Sequence, residues 1–79
     1  MLDELKTTQK VVGVKQLLKA LSRGQVKKVF VANDADPMLT DPVIAECNRA
    51  SVAVILVPTM RQLGAACEIS VDAAAAAIL

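Results

Sequence analysis

The chain contains no histidine, tryptophan or tyrosine, and its single aromatic residue is Phe30. Without histidine it has no side chain that ordinarily titrates near neutral pH, and no imidazole to act as a metal ligand or general base. A Ser/His/Asp set is therefore excluded. The scarcity of aromatic residues also argues against nucleic-acid binding by stacking on single-stranded bases. We predict a non-catalytic protein.

Cysteine and glycine are also scarce. Cys47 and Cys67 are too few for a disulfide scaffold and too far apart for a CxxC motif, so we expect two reduced, buried thiols. The three glycines form no phosphate-binding GxxxxGK loop. Asp34 and Asp36 could hold a cation, but such carboxylates in a turn more often cap backbone N–H groups. The sequence therefore predicts neither a metal site nor a cofactor.

The 79 residues are enough for one small domain, residues 1–79, and 54% of them are apolar. The longest apolar run, residues 52–57, is far too short to span a bilayer, and no signal-peptide pattern opens the chain. We therefore expect a cytoplasmic protein with no membrane partner.

Charge is distributed unevenly along the chain. Between Leu5 and Asn33 there are seven cations and no acid, whereas six of the eight acids follow that block. A basic segment on an otherwise acidic chain indicates a polyanionic partner. The alternative is that these cations bind no partner and only keep a helix face and a strand end soluble in water.

Short elements of alternating type follow one another. Residues 14–23 have the period of a helix, with Val14, Leu17, Leu18 and Leu21 on one side. The further predicted elements are a short helix at 2–8, extended segments at 10–13 and 26–32, a helix from Thr40 or Asp41 to about residue 50, a strand at 52–57 buried on both faces, and a helix at 59–67 opened by a Thr59/Gln62 capping box.

The alanine-rich tail, residues 71–79, favours helix by propensity alone. Strands that alternate with helices at this chain length predict an α/β fold. We expect a three-layer α/β/α sandwich around a central mixed sheet of about four strands.

The helix at 14–23 carries the best binding signal. Its start offers backbone N–H groups and the positive end of the helix dipole. Lys15 and Gln16 lie in the first turn, where both can donate to guanine O6 and N7, and Lys19 one turn on suits a phosphate. Unusual RNA pairs could be read in this way, whereas the deep groove of regular A-form RNA would exclude these side chains.

Three motifs together resemble the kink-turn-binding ribosomal protein family that includes archaeal L7Ae, and most of all its small bacterial members of the YbxF type. They are G-x-K-Q-x-x-K-A-L-x-R-G from Gly13, A-x-D-A-D-P from Ala32, and L-G-x-A-C from Leu63. The resemblance covers residues 8–79. It implies an α/β/α sandwich in which the alanine-rich tail is a strand that completes the sheet.

The resemblance also implies that the chain binds kink-turns, which are RNA helix–bulge–helix elements bent at tandem sheared G·A pairs. Gly13 would then mark the close backbone approach, Lys15 and Gln16 would read guanines, and Lys19 would pair with a phosphate. Asp36 would lie near the extruded bulge nucleotide, against which a loop containing Ile69, Ser70 and Val71 would pack. Apart from the resemblance, charge alone makes six cations plausible phosphate contacts: Lys15, Lys19, Arg23, Lys27, Lys28 and Arg61.

This chain departs from the family pattern at three places. Archaeal and eukaryotic members usually carry Asn-Glu where Lys15 and Gln16 stand. Met60 replaces a common lysine, for which Arg61 could substitute. Glu68 occupies a position that is usually glycine and that often requires a positive φ, and it adds a negative charge beside the proposed RNA loop.

We therefore expect a monomeric RNA-binding protein in a ribonucleoprotein, either ribosome-associated or bound to a structured regulatory RNA. The alternative is a protein–protein interaction module or ribosome-assembly partner on the same fold, which would carry an exposed apolar patch on the sheet edge or the last helix.

Overall fold

The structure, a computed structural model, describes residues 9–79, so the helix predicted at 2–8 lies outside the described residues. Four strands and three helices alternate along this part of the chain. They are β1 (Lys10–Val12), α1 (Val14–Ser22), β2 (Lys28–Ala32), α2 (Pro37–Arg49), β3 (Ala53–Val57), α3 (Met60–Ala66) and β4 (Ala75–Ile78).

The four strands form one mixed sheet in the order β1-β4-β2-β3. β4 pairs antiparallel with both β1 and β2, and β2 pairs parallel with β3. β1, β2 and β3 therefore run in the same direction and finish at the same end of the sheet, where β4 begins. We call this the carboxyl end of the sheet and the opposite one its amino end.

Helices cover both faces of the sheet, and side chains alternate between them. Val29, Val31, Ala75 and Ala77 pack in one buried cluster with residues of α1 and α2. Phe30, Ala32, Ala76 and Ile78 pack in a second cluster with residues of α3. The predicted α/β sandwich with a four-stranded mixed sheet is thus confirmed, as is the apolar side of α1, where Leu17 and Leu21 are buried.

The alanine-rich tail forms β4, so the helix favoured by propensity was wrong and the strand implied by the resemblance is confirmed. Ala75, Ala76 and Ala77 are completely buried. β4 lies between β1 and β2, with helices close on both faces, and tertiary packing of this kind overrides a local helix preference.

The start of α2 also differs from prediction. α2 begins at Pro37 rather than after Thr40 or Asp41, because Asp36 already caps it: its side chain accepts a hydrogen bond from the Met38 N–H at 3.0 Å. Proline is well suited to the first helical position, where no hydrogen bond from its nitrogen is needed.

β3 is covered less completely than predicted. Ile55 and Val57 pack in the cluster beneath α3 and Val54 packs against the cluster beneath α1 and α2, but β3 is the last strand of the sheet on that side. Val57 is its only buried residue, and the side chain of Leu56 is 62% exposed. A run of apolar residues alone does not show whether a strand lies at the centre or the edge of a sheet.

Both cysteines are free and buried, as predicted. Cys47 lies in the cluster beneath α1 and α2, and Cys67 lies in the cluster beneath α3, so the sheet separates them. Burial raises the pKa of each thiol above its ordinary value, which keeps both thiols protonated and unreactive at neutral pH.

Candidate nucleic-acid interface

Backbone hydrogen bonds fasten four segments together at the carboxyl end of the sheet. The Gly13 N–H donates to the Ala75 carbonyl at 2.9 Å, which joins the start of α1 to the start of β4. The Ala32 N–H donates to the Ala74 carbonyl at 2.9 Å, and the Asn33 N–H donates to the Val57 carbonyl at 2.7 Å. Segments far apart in sequence are therefore held side by side.

Two further hydrogen bonds add the start of α3 to this arrangement. The Asp34 carboxylate accepts from the Met60 N–H at 2.7 Å, and the Ala73 N–H donates to the Met60 carbonyl at 3.1 Å. The turn after β2, the start of α3 and the loop before β4 are thus connected through Met60. Asp34 has the capping role expected of a turn carboxylate.

Gly13 begins α1 in a conformation that favours glycine, with φ 103° and ψ 147°. A Cβ built on this residue would meet no protein atom within 4 Å. The backbone conformation, not crowding within the protein, therefore requires glycine here. Because Gly13 has no side chain to cap the helix, the first turn of α1 presents its N–H groups and positive dipole end outward.

Lys15 and Gln16 are the second and third residues of α1, and Lys19 follows one turn after Lys15. All three side chains are exposed, and the first turn contains no acid. Residues four apart lie on the same helix face, so Lys15 and Lys19 form a continuous basic flank. This face can donate hydrogen bonds to base edges and phosphates.

Asp36 and Arg61 lie at the starts of the two other helices that begin at the carboxyl end, and both are exposed. The cap to Met38 fixes the Asp36 carboxylate in place. Met60, which stands where many family members have lysine, packs against the core beneath α3. Arg61 is thus the cation that the first turn of α3 presents to solvent.

The three candidate residues in the loop before β4 are not equivalent. Ile69 packs against the core beneath α3, whereas Ser70 and Val71 are exposed. The Val71 side chain is 66% exposed. Ile69 therefore anchors the loop, and Ser70 and Val71 are the residues available to a ligand.

The sequence reading missed two apolar residues at this end. Met38 and Leu39, in the first turn of α2, are 84% and 49% exposed. Apolar residues in a helical segment are ordinarily assigned to the core. The residue types of Met38 and Leu39 therefore gave no indication that these side chains are exposed at the site. Placing the helix N-cap at Asp36 would have identified them as first-turn residues beside the proposed site.

Arg23 and Lys28 lie elsewhere. Arg23 follows the last turn of α1, and Lys28 is the first residue of β2, so both lie toward the amino end of the sheet. At 1.5 Å per residue, the eight steps from Lys15 to Arg23 span about 12 Å along α1. The RNA contacts proposed for Arg23 and Lys28 remain predictions. These contacts would be separate from those made by the start of α1.

Residues 9–79 show no sign of a metal site or a membrane span. No group of three or more cysteine, aspartate and glutamate side chains there could hold a metal ion. No helix in the same range is long and apolar enough to cross a membrane.

The chain belongs to the ribosomal protein L7Ae/L30e/S12e/Gadd45 family, whose sequence model matches residues 2–79. It is 48% identical over 69 residues to the RNA-binding protein YbxF of Geobacillus stearothermophilus, covering 87% of this chain and 84% of that protein. It is 45% identical over 75 residues to an RNA-binding protein of Geobacillus sp. (strain WCH70), covering 95% of this chain and 92% of that protein.

A solved structure extends the similarity to the fold. The 15.5kD RNA binding protein of Giardia lamblia superposes with a TM-score of 0.89 at 28% identity, covering 98% of this chain and 68% of that one. The family resemblance drawn from the three motifs is confirmed.

Proposed function

We propose that this chain is a non-catalytic RNA-binding protein that recognises kink-turns at the carboxyl end of its sheet. The observation that carries the proposal is that backbone hydrogen bonds hold the uncapped, basic start of α1 and the end of β2 against Ala74 and Ala75. The turn at Asp36 directly follows β2, and the loop with Ser70 and Val71 directly precedes β4, so both lie at the same end of the sheet as the α1 start. Relatives named as RNA-binding proteins support the same ligand class.

In this proposal the first turn of α1 enters the widened major groove at the sheared G·A pairs. Gly13 allows close approach of the backbone, because no side chain projects from it. Lys15 and Gln16 donate to guanine O6 and N7, and Lys19 contacts a phosphate. The apolar side of α1, packed on the sheet, holds these donors in a fixed position.

The turn at Asp36, the loop before β4 and the start of α3 would contact the RNA strand on the far side of the bend. Asp36 would accept hydrogen bonds from the extruded bulge nucleotide, and Val71 would offer it an apolar surface, with Ser70 beside it. Arg61 would contact a neighbouring phosphate. Met38 and Leu39 extend the exposed apolar surface next to Asp36.

We also propose that the protein is monomeric and cytoplasmic. It would be either ribosome-associated or bound to a structured regulatory RNA. In either setting the interface would combine base contacts, which give sequence specificity, with phosphate contacts, which fix the position of the protein on the RNA.

A paired gel-shift titration tests the function. A kink-turn RNA is compared with the same RNA in which the tandem G·A pairs are replaced by Watson–Crick pairs. We expect Lys15→Ala and Gln16→Ala each to weaken kink-turn binding by roughly tenfold, as for loss of a specific base contact. Lys27→Ala is the matched control, because Lys27 is an exposed cation just before β2, toward the amino end of the sheet.

Equal affinity of the parent for the two RNAs would overturn kink-turn recognition and leave only general attraction to a polyanion. Full affinity of both α1 variants would instead show that the site has been assigned to the wrong residues.

The exposure of Leu56 on edge strand β3 favours a second candidate, a protein–protein interaction module. An uncovered edge strand presents backbone groups that can pair with another chain. Sedimentation across a wide concentration range tests self-association. A constant monomer mass for the parent and for Leu56→Lys would count against pairing between two copies.

A further inference from the structure

We propose that Gly64 is a positioning residue for RNA recognition, because its missing side chain lets the loop between α3 and β4 lie directly on α3. This loop, residues 67–74, is called the α3–β4 loop below. The inference rests on the proposed function, and it adds a residue that contacts no RNA itself.

Gly64 is buried within α3. A Cβ built on it would lie 2.2 Å from the Val71 carbonyl oxygen and 3.2 Å from both the Val71 carbonyl carbon and the Asp72 Cα. All three are backbone atoms, so no side-chain rotation could relieve the overlap. The α3–β4 loop therefore occupies the space that any other residue type would fill at position 64.

Backbone conformation does not explain this glycine. Gly64 lies in a regular helix, and its φ is not among the positive values of the chain. Glycine lowers helix propensity relative to alanine, so its presence inside a seven-residue helix is locally unfavourable. The close approach of the loop is the structural reason that remains.

The loop is fastened to α3 on both sides of this contact. The Ile69 N–H donates to the Gly64 carbonyl at 3.2 Å, and the Ala73 N–H donates to the Met60 carbonyl at 3.1 Å. Ile69 also packs against the core beneath α3. A methyl group at position 64 would consequently displace the segment between these two attachments, which contains Ser70 and Val71.

The displacement would be large enough to affect binding. Moving the Val71 oxygen from 2.2 Å to an ordinary contact distance requires a shift of roughly 1 Å. Binding groups must be held to within about 0.5 Å of the productive geometry. Gly64 would thus control whether Val71 reaches the extruded nucleotide.

Gly64→Ala tests the inference, and Ala65→Gly is its matched control. Ala65 is the exposed neighbour in the same helix, and its change alters helix propensity while its backbone carbonyl can still accept from the Glu68 N–H. Dissociation constants are measured for a kink-turn RNA and for the same RNA made abasic at the extruded position. We expect Gly64→Ala to weaken binding to the intact RNA by about tenfold. The same variant should change binding to the abasic RNA only slightly. Ala65→Gly should bind both RNAs as the parent does.

A purely structural role would not produce this dependence on the extruded base. Val71→Ala provides a second check, because Gly64→Ala should add little further loss to a protein that already lacks the Val71 side chain. Equal losses on the intact and abasic RNAs, or additive losses in the double variant, would overturn the inference.

NMR of the free protein separates this inference from the proposed function. Amide shifts of residues 70–72 should change in Gly64→Ala and not in Ala65→Gly, and unchanged shifts in Gly64→Ala would overturn the positioning role. If the parent does not prefer kink-turn RNA, the proposed function and the RNA role of Gly64 fail together, although the loop displacement would still be detected.

Gly64→Ala is also made in the Glu68→Gly background and compared with Glu68→Gly alone. Removing the positive-φ strain at Glu68 should keep the variant folded if Gly64→Ala alone is too unstable to measure.

Discussion

At the scale of single residues, Glu68 is the clearest conflict between side chain and backbone. It has φ 61°, in the left-handed region, directly after Cys67, the C-cap residue of α3. Its N–H donates to the Ala65 carbonyl at 3.0 Å, so the helix ending itself imposes this conformation. The sequence suggested a positive φ here, since glycine is usual at this place in the family, and the structure confirms it.

Glu68→Gly should raise the free energy of unfolding by about 1 kcal/mol, because glycine adopts the left-handed conformation without the steric cost of a Cβ. Urea denaturation measures this change. Glu68→Gln keeps the strain and removes only the charge, so its unfolding free energy should stay close to that of the parent.

The same pair separates charge from strain in RNA binding. If the negative charge beside the α3–β4 loop weakens binding, both variants should bind kink-turn RNA more tightly than the parent. A glycine variant no more stable than the glutamine variant would show that the Glu68 backbone is not strained.

At the scale of elements, the start of α2 has two roles. Asp36 caps the helix by accepting from the Met38 N–H at 3.0 Å, and it is also a proposed RNA contact. Asp36→Ala alone could not separate helix capping from RNA contact, because loss of the cap also moves the first turn, which carries Met38 and Leu39.

Asp36→Asn should keep the cap and leave the free energy of unfolding within a few tenths of a kcal/mol, whereas Asp36→Ala should lower it by about 1 kcal/mol. Both values come from urea denaturation. Any loss of RNA affinity in the asparagine variant then reports the carboxylate's contact with RNA. If asparagine destabilises the protein as much as alanine does, the capping role is refuted.

At the scale of the whole molecule, the fold divides the cations between two ends. Lys15 and Arg61 lie at the carboxyl end, and Lys19 continues the flank of α1. Arg23 and Lys28 lie toward the amino end, as does Lys27 just before β2. Only the first three cations belong to the proposed RNA surface.

This division changes the expected effect of salt. Six phosphate contacts would weaken binding about a thousandfold between 50 and 200 mM salt, whereas the two proposed phosphate contacts, Lys19 and Arg61, should weaken it only about 12-fold. Titration of kink-turn RNA at several salt concentrations measures the slope.

Variants can confirm which cations set this slope. Replacing Lys19 and Arg61 with alanine should nearly abolish the salt dependence of binding, while an Arg23→Ala/Lys27→Ala protein should keep the parent slope. A thousandfold loss in the parent would mean that the amino end also contacts the RNA.

The local elements could be predicted because their causes are local. The apolar period of α1 places Leu17 and Leu21 in the core, and the Thr59 hydroxyl oxygen accepts from the Gln62 N–H at 3.1 Å, as the capping-box spacing predicts. The boundary of α2 was missed because Thr40 and Asp41 are equally good caps by residue type, although Asp36 is the one that caps.

The sequence by itself determined the basic flank of α1, the capped start of α3, two buried cysteines and, through three motifs, the family. Tertiary structure decided the rest. It made the alanine-rich tail a central strand, because pairing with β1 and β2 and burial between two helical layers outweigh its helix propensity, and it left β3 at the edge of the sheet. It also joined Gly13, Asp36 and Val71 at one end and seated the α3–β4 loop on Gly64. These outcomes depend on strand order and backbone contact between distant segments, and residue types along the chain do not specify either.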